Sequence, residues 1–347
     1  MRGRSARRGI VASAACVAAM AVTSAARAVD CAPATGLSPC IDADGLWLAP
    51  DGARFLSLPS ARGAPPGTLA SGFALSFLSR PVTLRVSSPD PDGRTVPVVE
   101  RLLDATILER YAVSRSVDVD VALPFALYQT GAGVEGVTSQ SAPPIARTAA
   151  RDPRLGAGYV LVEPAPHERD GVALKARLEL SLPFGDRRAL ASEGAILAAP
   201  SLALESSLGP IHGSAMAGAR LRRAVRFATA HHGSQALLAL GGGFDVLPRA
   251  LLSLELEAWM LPSLTSQADS LPSGARVEGG LLVQAEWLAS LRSRVGDGLE
   301  LSLGGGTALP LSSVRRVDTR GDRDTERFPA PGSPEYRLTF LVRYAPR

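Results

Sequence analysis

Between Val172 and Phe184 the chain reads VALKARLELSLPF, and its side chains alternate in character without a break. Val172, Leu174, Ala176, Leu178, Leu180 and Leu182 fall on one face, and Ala173, Lys175, Arg177, Glu179 and Ser181 on the other. A period of two marks an extended strand, because successive side chains point to opposite faces. An amphipathic helix needs apolar spacings of three and four, which this stretch does not offer. A strand that is oily on one side and charged on the other must divide two different media.

The pattern recurs along the chain. Val117, Val119, Val121, Leu123 and Phe125 oppose Ser116, Asp118, Asp120 and Ala122. Leu252, Leu254, Leu256 and Ala258 oppose Glu255, Glu257 and Trp259. Val277, Gly279, Leu281, Val283, Ala285 and Trp287 oppose Glu278, Gln284 and Glu286, and Tyr336, Leu338, Phe340, Val342 and Tyr344 oppose Arg337, Thr339 and Arg343. Strands of soluble sandwiches usually run to about five or six residues. These run to about ten to thirteen, as a tilted strand needs to cross a bilayer. A small soluble barrel keeps its apolar face inside, whereas a membrane barrel turns it out to lipid. The expected fold is therefore all-β: a transmembrane antiparallel up-and-down β-barrel of about twelve strands. A secreted soluble β-protein is the alternative reading.

The expected strands lie near 68–78, 97–111, 116–128, 153–163, 172–183, 197–207, 213–227, 236–246, 250–261, 277–288, 298–307 and 335–345. The first is the weakest, since Val82 to Val86 also fits a hairpin arm. Long connections at 79–96, 129–152, 184–196, 262–276 and 308–334 alternate with short ones at 112–115, 164–171, 208–212, 247–249 and 289–297. Only 228–235 breaks the rule, being short in a long-loop position. An outer-membrane barrel predicts this alternation, with short periplasmic turns, long extracellular loops and both termini periplasmic.

Residues 1–28 read as a cleavable signal peptide that directs export to the cell outer membrane. Arg2, Arg4, Arg7 and Arg8 precede an apolar run from Ile10 to Val22, and Ala26-Arg27-Ala28 fits the cleavage site. The full chain has 37 basic and 33 acidic residues, a net +4. Cleavage removes five arginines and no acid, leaving a net charge of −1. The basicity belongs to the leader, so no nucleic-acid partner is expected. Cys31 and Cys40 remain, and an exported chain with an even count points to a disulfide between them. There is no CxxC spacing and the four histidines supply no ligand set, so no metal or other cofactor is expected. Residues 29–67, rich in Pro, Gly and Ala, read as an N-terminal periplasmic extension or a lumen plug, and 68–347 as the barrel.

The segments VVERLLDATILERYAVSRSVDVDVALPFALYQTG, DPRLGAGYVLVE, LELSLPFGD and PGSPEYRLTFLVRYAP resemble the N-terminal barrel of certain OmpA-family outer-membrane proteins. They are also similar to transporter-like barrels described as phenol-degradation-pathway outer-membrane proteins. The resemblance covers roughly residues 70–345 and rests on strand and turn patterns. It implies an outer-membrane barrel of channel or surface type. Many OmpA relatives carry a peptidoglycan-binding C-terminal domain, which is not expected here because the sequence stops at Arg347.

Two constellations carry the functional expectations. The first is lumenal charge. Lys175, Arg177 and Glu179 share one strand face and Arg220, Arg222 and Arg226 another, while Asp118, Asp120, Glu255, Glu257, Glu278 and Glu286 come from other strands. Such ladders set the ion preference of a water-filled pore, or pair across the barrel and fill it. A passive porin-like channel for small hydrophilic or hydrophobic solutes and a structural surface protein, each embedded in outer-membrane lipid, both fit. The second is His-x-Ser, at His212-Gly213-Ser214 and His232-Gly233-Ser234. Outer-membrane phospholipase and lipid-A deacylase barrels resemble this in placing a catalytic His and Ser two apart on one strand face, where the imidazole takes the hydroxyl proton. His232 and Ser234 define the hydrolase alternative. The default is that they are solvated loop residues and that the protein is not an enzyme. Tyr111, Phe125, Tyr128, Phe227, Trp259, Trp287, Tyr336 and Tyr344 are the expected interfacial aromatics.

Overall fold

The computed structural model describes residues 31–33, 36–50, 54–86, 94–139, 141–164, 170–228, 230–247, 251–267, 269–270, 276–277, 280–296, 298–317 and 323–345. The signal-peptide expectation for 1–28 and the site expectation for Glu278 lie outside the described residues.

Twelve antiparallel strands close into one barrel: β1 Leu69–Val86, β2 Arg94–Ala112, β3 Val117–Thr130, β4 Arg154–Val162, β5 Gly171–Ser181, β6 Leu197–Leu208, β7 Ile211–Arg220, β8 Gln235–Asp245, β9 Leu252–Pro262, β10 Val283–Val295, β11 Leu299–Ala308 and β12 Tyr336–Tyr344. Each pairs with its chain neighbours, and the seam closes where β1 meets β12, from Ser71 opposite Tyr344 to Ser79 opposite Tyr336. Closure leaves no open sheet edge, the condition for a sheet surrounded by hydrocarbon.

The period-two pattern sorts the faces as the chemistry demands. On β5, Ala173, Lys175, Arg177 and Ser181 are buried inside, while Val172 and Leu178 are exposed outside. On β9, Ser253, Glu255, Glu257, Trp259 and Leu261 point in, and Leu254, Leu256 and Met260 point out. A wall whose accessible side is leucine and valine is a lipid-facing wall, which a soluble protein would not present as a continuous band. Outward aromatics flank it. Tyr111, Tyr159, Phe244 and Tyr344 sit at one end, and Tyr128, Phe184, Trp287 and Tyr336 at the other. Trp259 and Phe227 are not among them. Trp259 shares the inward face with Glu257, and Phe227 is buried outside the barrel strands.

The connections at one end are short: 113–116, 163–170, 209–210, 246–251 and 296–298. At the other end the first, 87–93, is short where 79–96 was expected to be long, because both flanking strands extend toward it, and the rest are long: 131–153, 182–196, 221–234, 263–282 and 309–335. The expected exception disappears because β7 stops at Arg220 instead of 227. Val225–Phe227 pairs instead with Ala230–His232 in a small separate hairpin. The reason is local: Leu221-Arg222-Arg223 breaks the alternation, so continuing the strand would press an arginine into lipid. β10 shifts the other way, starting at Val283 instead of 277 and running to Val295, because outward Trp287, Ala289 and Leu291 continue the pattern past 288. The hairpin arm at Val82 belongs to β1, which continues through a bulge at Arg80-Pro81, where Arg80 has φ 46°.

Residues 36–50 and 54–63 occupy the lumen as a strap. It starts at the long-loop end, where Leu37 bridges Phe227 and Asp42 bridges Ala191. It finishes at the short-turn end, where the Gly63 amide donates to Glu163 Oε1 at 3.0 Å, before the chain enters β1. Inside the barrel, Leu46, Leu48, Phe55, Leu56 and Leu58 of the strap pack with wall residues including Leu108, Leu237, Trp259, Leu288 and Leu341. A main apolar core thus lies between the N-terminal segment and the inner wall.

Candidate functional site: the occupied lumen

The inward charges are matched in pairs around the wall. Asp118 on β3 accepts from Lys175 Nζ at 2.9 Å and Arg110 Nη2 at 2.8 Å, and Asp120 accepts from Arg177 at 2.9 Å. These carboxylates fit because β4 opposes them with glycine. A Cβ on Gly156 would collide with the Asp120 carboxylate, and one on Gly158 would lie 2.6 Å from Asp118 Oδ1. Farther round, Arg292 of β10 bonds Glu255 at 2.8 Å, and Arg154 of β4 bonds Glu179 at 3.1 Å. Ions removed from water persist only when paired and hydrogen-bonded, and each of these is.

A second group of wall charges holds the strap. Arg337 on β12 lies between Asp44 of the strap, at 2.6 and 3.0 Å, and Glu286 of β10, at 2.9 and 3.2 Å. Arg151, just before β4, bonds Asp42 at 2.5 Å and Asp104 of β2 at 2.8 Å. Glu257 accepts from the amides of Leu56 and Ser57 and from the Ser57 hydroxyl at 3.2, 3.1 and 2.8 Å. Glu205 of β6 does the same for Ser60 Oγ, the Ala61 amide and Arg62 Nε. Strap carbonyls are covered by arginines: Gly45 O by Arg220 at 2.9 Å and Ala49 O by Arg343 at 2.7 Å. An irregular segment inside a barrel cannot satisfy its own backbone, so the wall charges supply the partners that a neighbouring strand would provide.

Apolar fit completes the contact. Trp47 lies under two guanidinium groups, with Arg220 at 4.1 Å and Arg154 at 4.8 Å from its ring centroid, a favourable cation–π geometry. Phe55 and Leu58 press against Gly241 of β8, and Leu56 against Gly304 of β11; a Cβ at either glycine would lie 2.7 Å from the nearest strap atom. Two cavities beside the strap are small, one of about 40 Å³ lined by Trp47, Leu48, Met216, Leu237 and Trp259 among others, and one of about 20 Å³ near Asp42 and Arg151. These hold one or two waters each.

At the long-loop rim, Cys31 and Cys40 are joined in a disulfide. Around it, Arg222 lies beyond the end of β7, not on the lumenal face of that strand, where it pairs with Glu193 and donates to the Gly233 carbonyl at 3.0 Å. Burial pushes the Asp152 carboxyl up to about 7, although the amides of Gly185 and Glu193 each donate to it at 2.8 Å. His232 is buried here with Nδ1 2.9 Å from Arg222, and burial together with that guanidinium pushes its pKa down to about 3. Ser234 Oγ exchanges hydrogen bonds with the Arg222 backbone. Among the described contacts no hydrogen bond joins His232 to Ser234, and a ring facing a guanidinium is a poor proton acceptor. The other copy separates too: His212 points into the lumen beside Arg54 at 3.0 Å, while Ser214 donates to Leu204 O. Among the described residues no group of three or more His, Cys, Asp or Glu is placed to hold a metal ion.

Of the residues singled out from sequence, Lys175, Arg177, Glu179, Asp118, Asp120, Arg220, Glu255, Glu257 and Glu286 sit on inward strand faces. The strap-holding residues Asp44, Arg151, Glu205 and Arg343 were missed as a set, although Arg343 lies on a polar face already recognised. The triplets Gly241–Gly243 and Gly304–Gly306 were a readable signal, since glycine inside a strand marks close approach of another chain segment.

A closed, antiparallel, twelve-stranded barrel with an apolar outside and a charged inside defines a transmembrane barrel of the outer-membrane kind. Searches for related sequences find no matching family model and no matching curated protein. A solved structure shares the fold. An outer membrane channel from Pseudomonas putida F1 superposes with a TM-score of 0.54 at 12% identity, over 82% of this chain and 98% of that one. The toluene transporter TbuX of Ralstonia pickettii aligns at 10% identity with a TM-score of 0.39, over 82% of this chain and 90% of that one.

Proposed function

We propose that the protein is an outer-membrane channel for small solutes, held closed by its own N-terminal strap, and exported by a cleaved signal peptide at residues 1–28. The carrying observation is that wall charges such as Glu257, Glu205, Arg337 and Arg343 bond the strap directly, while the two cavities described beside it admit only one or two waters each. A strap held by polar contacts is exchangeable for water, whereas a uniformly apolar barrel core would not be. With the strap displaced, the same charges face an aqueous lumen and set its ion preference. The finer kinship, with OmpA-type or phenol-pathway barrels, is supported by the sequence patterns at 98–131 and 331–346.

The test is single-channel recording in planar bilayers. The full chain is expected to conduct little, and a variant lacking residues 36–63 to open stable steps. A strapless barrel that folds, shown by heat-modifiable migration, yet stays silent would favour a structural surface protein. Its observation in support is the density of wall-to-wall pairs such as Lys175–Asp118 and Arg292–Glu255, which bond along the inner wall without the strap.

A further inference from the structure

The strap has a topological peculiarity. β1 begins at the short-turn end, yet the strap's leading end, at Cys31, lies among the long loops, so the chain passes through the whole barrel before forming its first strand. At that leading end the chain is closed on itself, with Cys31 bonded to Cys40 across a separation of nine residues. This ring is seated above the lumen. The Ser38 amide donates to Arg226 O at 2.9 Å, Ala228 N to Gly36 O at 3.0 Å and Ala43 N to Leu190 O at 2.8 Å. Both sulfurs rest on Gly194 of the β5–β6 loop, where φ is +68° and a Cβ would lie 2.7 Å from Cys31 Sγ and 2.8 Å from Cys40 Sγ.

We propose that the Cys31–Cys40 ring is a stopper: while it is intact the strap cannot be withdrawn through the barrel toward the short-turn end, and its reduction turns the strap into a removable plug. The proposal rests on the closed-channel reading above for its consequence, but not for its geometry. The strap passes the barrel as a single chain segment, and the two cavities described beside it hold only one or two waters each. A ring of two chain segments tied together is wider than that passage. The reduced segment, opened to one extended strand, is not. The bond is reachable from outside: Cys31 is partly exposed and lines a cavity of about 320 Å³ at the rim, together with Pro33, Arg223, Arg226 and His231. Those basic groups favour approach of an anionic thiolate. A dithiol reductant attacks Cys31 Sγ, which forms a mixed disulfide and releases Cys40 as a thiolate. The reductant's second thiolate then attacks the mixed disulfide, leaving the reductant as a cyclic disulfide and both cysteines as thiols.

The experiment uses the purified, already folded barrel, so that folding is not at issue. Hydrogen exchange at the Leu56, Ser57 and Ala61 amides is read before and after dithiothreitol, and single-channel conductance is recorded on the same samples. Exchange at these amides is expected to rise at least tenfold on reduction, and Cys40→Ser is expected to match the reduced state. The discriminating arm labels Cys31 of the Cys40→Ser chain with a biotin maleimide and caps it with streptavidin. A stopper works by width alone, so the bulky cap should return exchange to the oxidised rate. Exchange unchanged within twofold on reduction, or accelerated but not restored by the cap, overturns the stopper. Accelerated and cap-reversible exchange without any gain in conductance leaves the stopper standing and overturns the closed-channel reading.

Discussion

Glu257 carries three hydrogen bonds to the strap from a position buried on the inner wall, and nothing else described bonds the Leu56 and Ser57 amides. Removing the carboxylate leaves two buried amides and a hydroxyl without an acceptor, at roughly 1–3 kcal/mol for an orphaned group. Glu257→Ala is therefore expected to speed hydrogen exchange at Leu56 and Ser57 by about tenfold to a hundredfold, given that about 1.4 kcal/mol is a factor of ten. Exchange at the strand amides of β5 should stay put. His232 provides a pH prediction at the rim. Its folded pKa, about 3, lies below the unfolded value near 6.5, so the unfolded chain binds the proton first. Its contribution to stability is complete above about 6.5 and is lost as pH falls toward about 3. An NMR titration of the imidazole should show a neutral ring down to pH 4, and a midpoint near 6.5 would refute the packing described for it. That Glu257 faces inward was legible from its place two residues from Glu255. That it serves the strap was not, because Leu56 is 201 residues away in the chain.

At the scale of elements, sequence periodicity located the wall well and its ends less well. β5 and β9 fall close to their expected bounds, since a bilayer-facing strand must keep its alternation throughout. β7 and β10 differ where the alternation is spoiled or prolonged at the rim, outside the zone in which lipid enforces it. The inward glycines have a more specific role. Gly304 faces Leu56 and Ser290 across gaps that a Cβ would cut to 2.7 and 2.9 Å. Gly304→Val should overpack this contact by about 1–3 kcal/mol and loosen the strap while the barrel survives. The readout is faster exchange or trypsin cleavage within 54–62, with heat-modifiable migration unchanged. Loss of the barrel itself would show that Gly304 serves strand pairing instead.

The whole molecule is a wall and an occupant that complete each other electrostatically. Arg337 ties Asp44 of the strap to Glu286 of the wall, and all three are buried. Removing one partner of such a buried set costs about 3–5 kcal/mol, because the others keep their charge without compensation. Arg337→Ala is expected to lower the temperature at which the barrel loses its compact migration on a denaturing gel. Arg337→Ala combined with Asp44→Asn and Glu286→Gln should recover most of the loss, since no buried charge is then left over. If the triple variant is no more stable than the single one, the set does not act as a unit.

By itself the sequence determined the barrel. Alternation, strand length and the rhythm of long and short connections are local properties, and a bilayer enforces them on each strand separately. It also determined which face of each strand carries charge. Only the tertiary structure decided what those charges do. Whether a lumenal glutamate meets water, a facing arginine or a backbone amide of residues 36–63 depends on where an irregular, non-periodic segment runs, and such a segment carries no pattern to read. The wall was written strand by strand, while the occupant of the lumen is fixed by contacts between residues 100 to 300 positions apart.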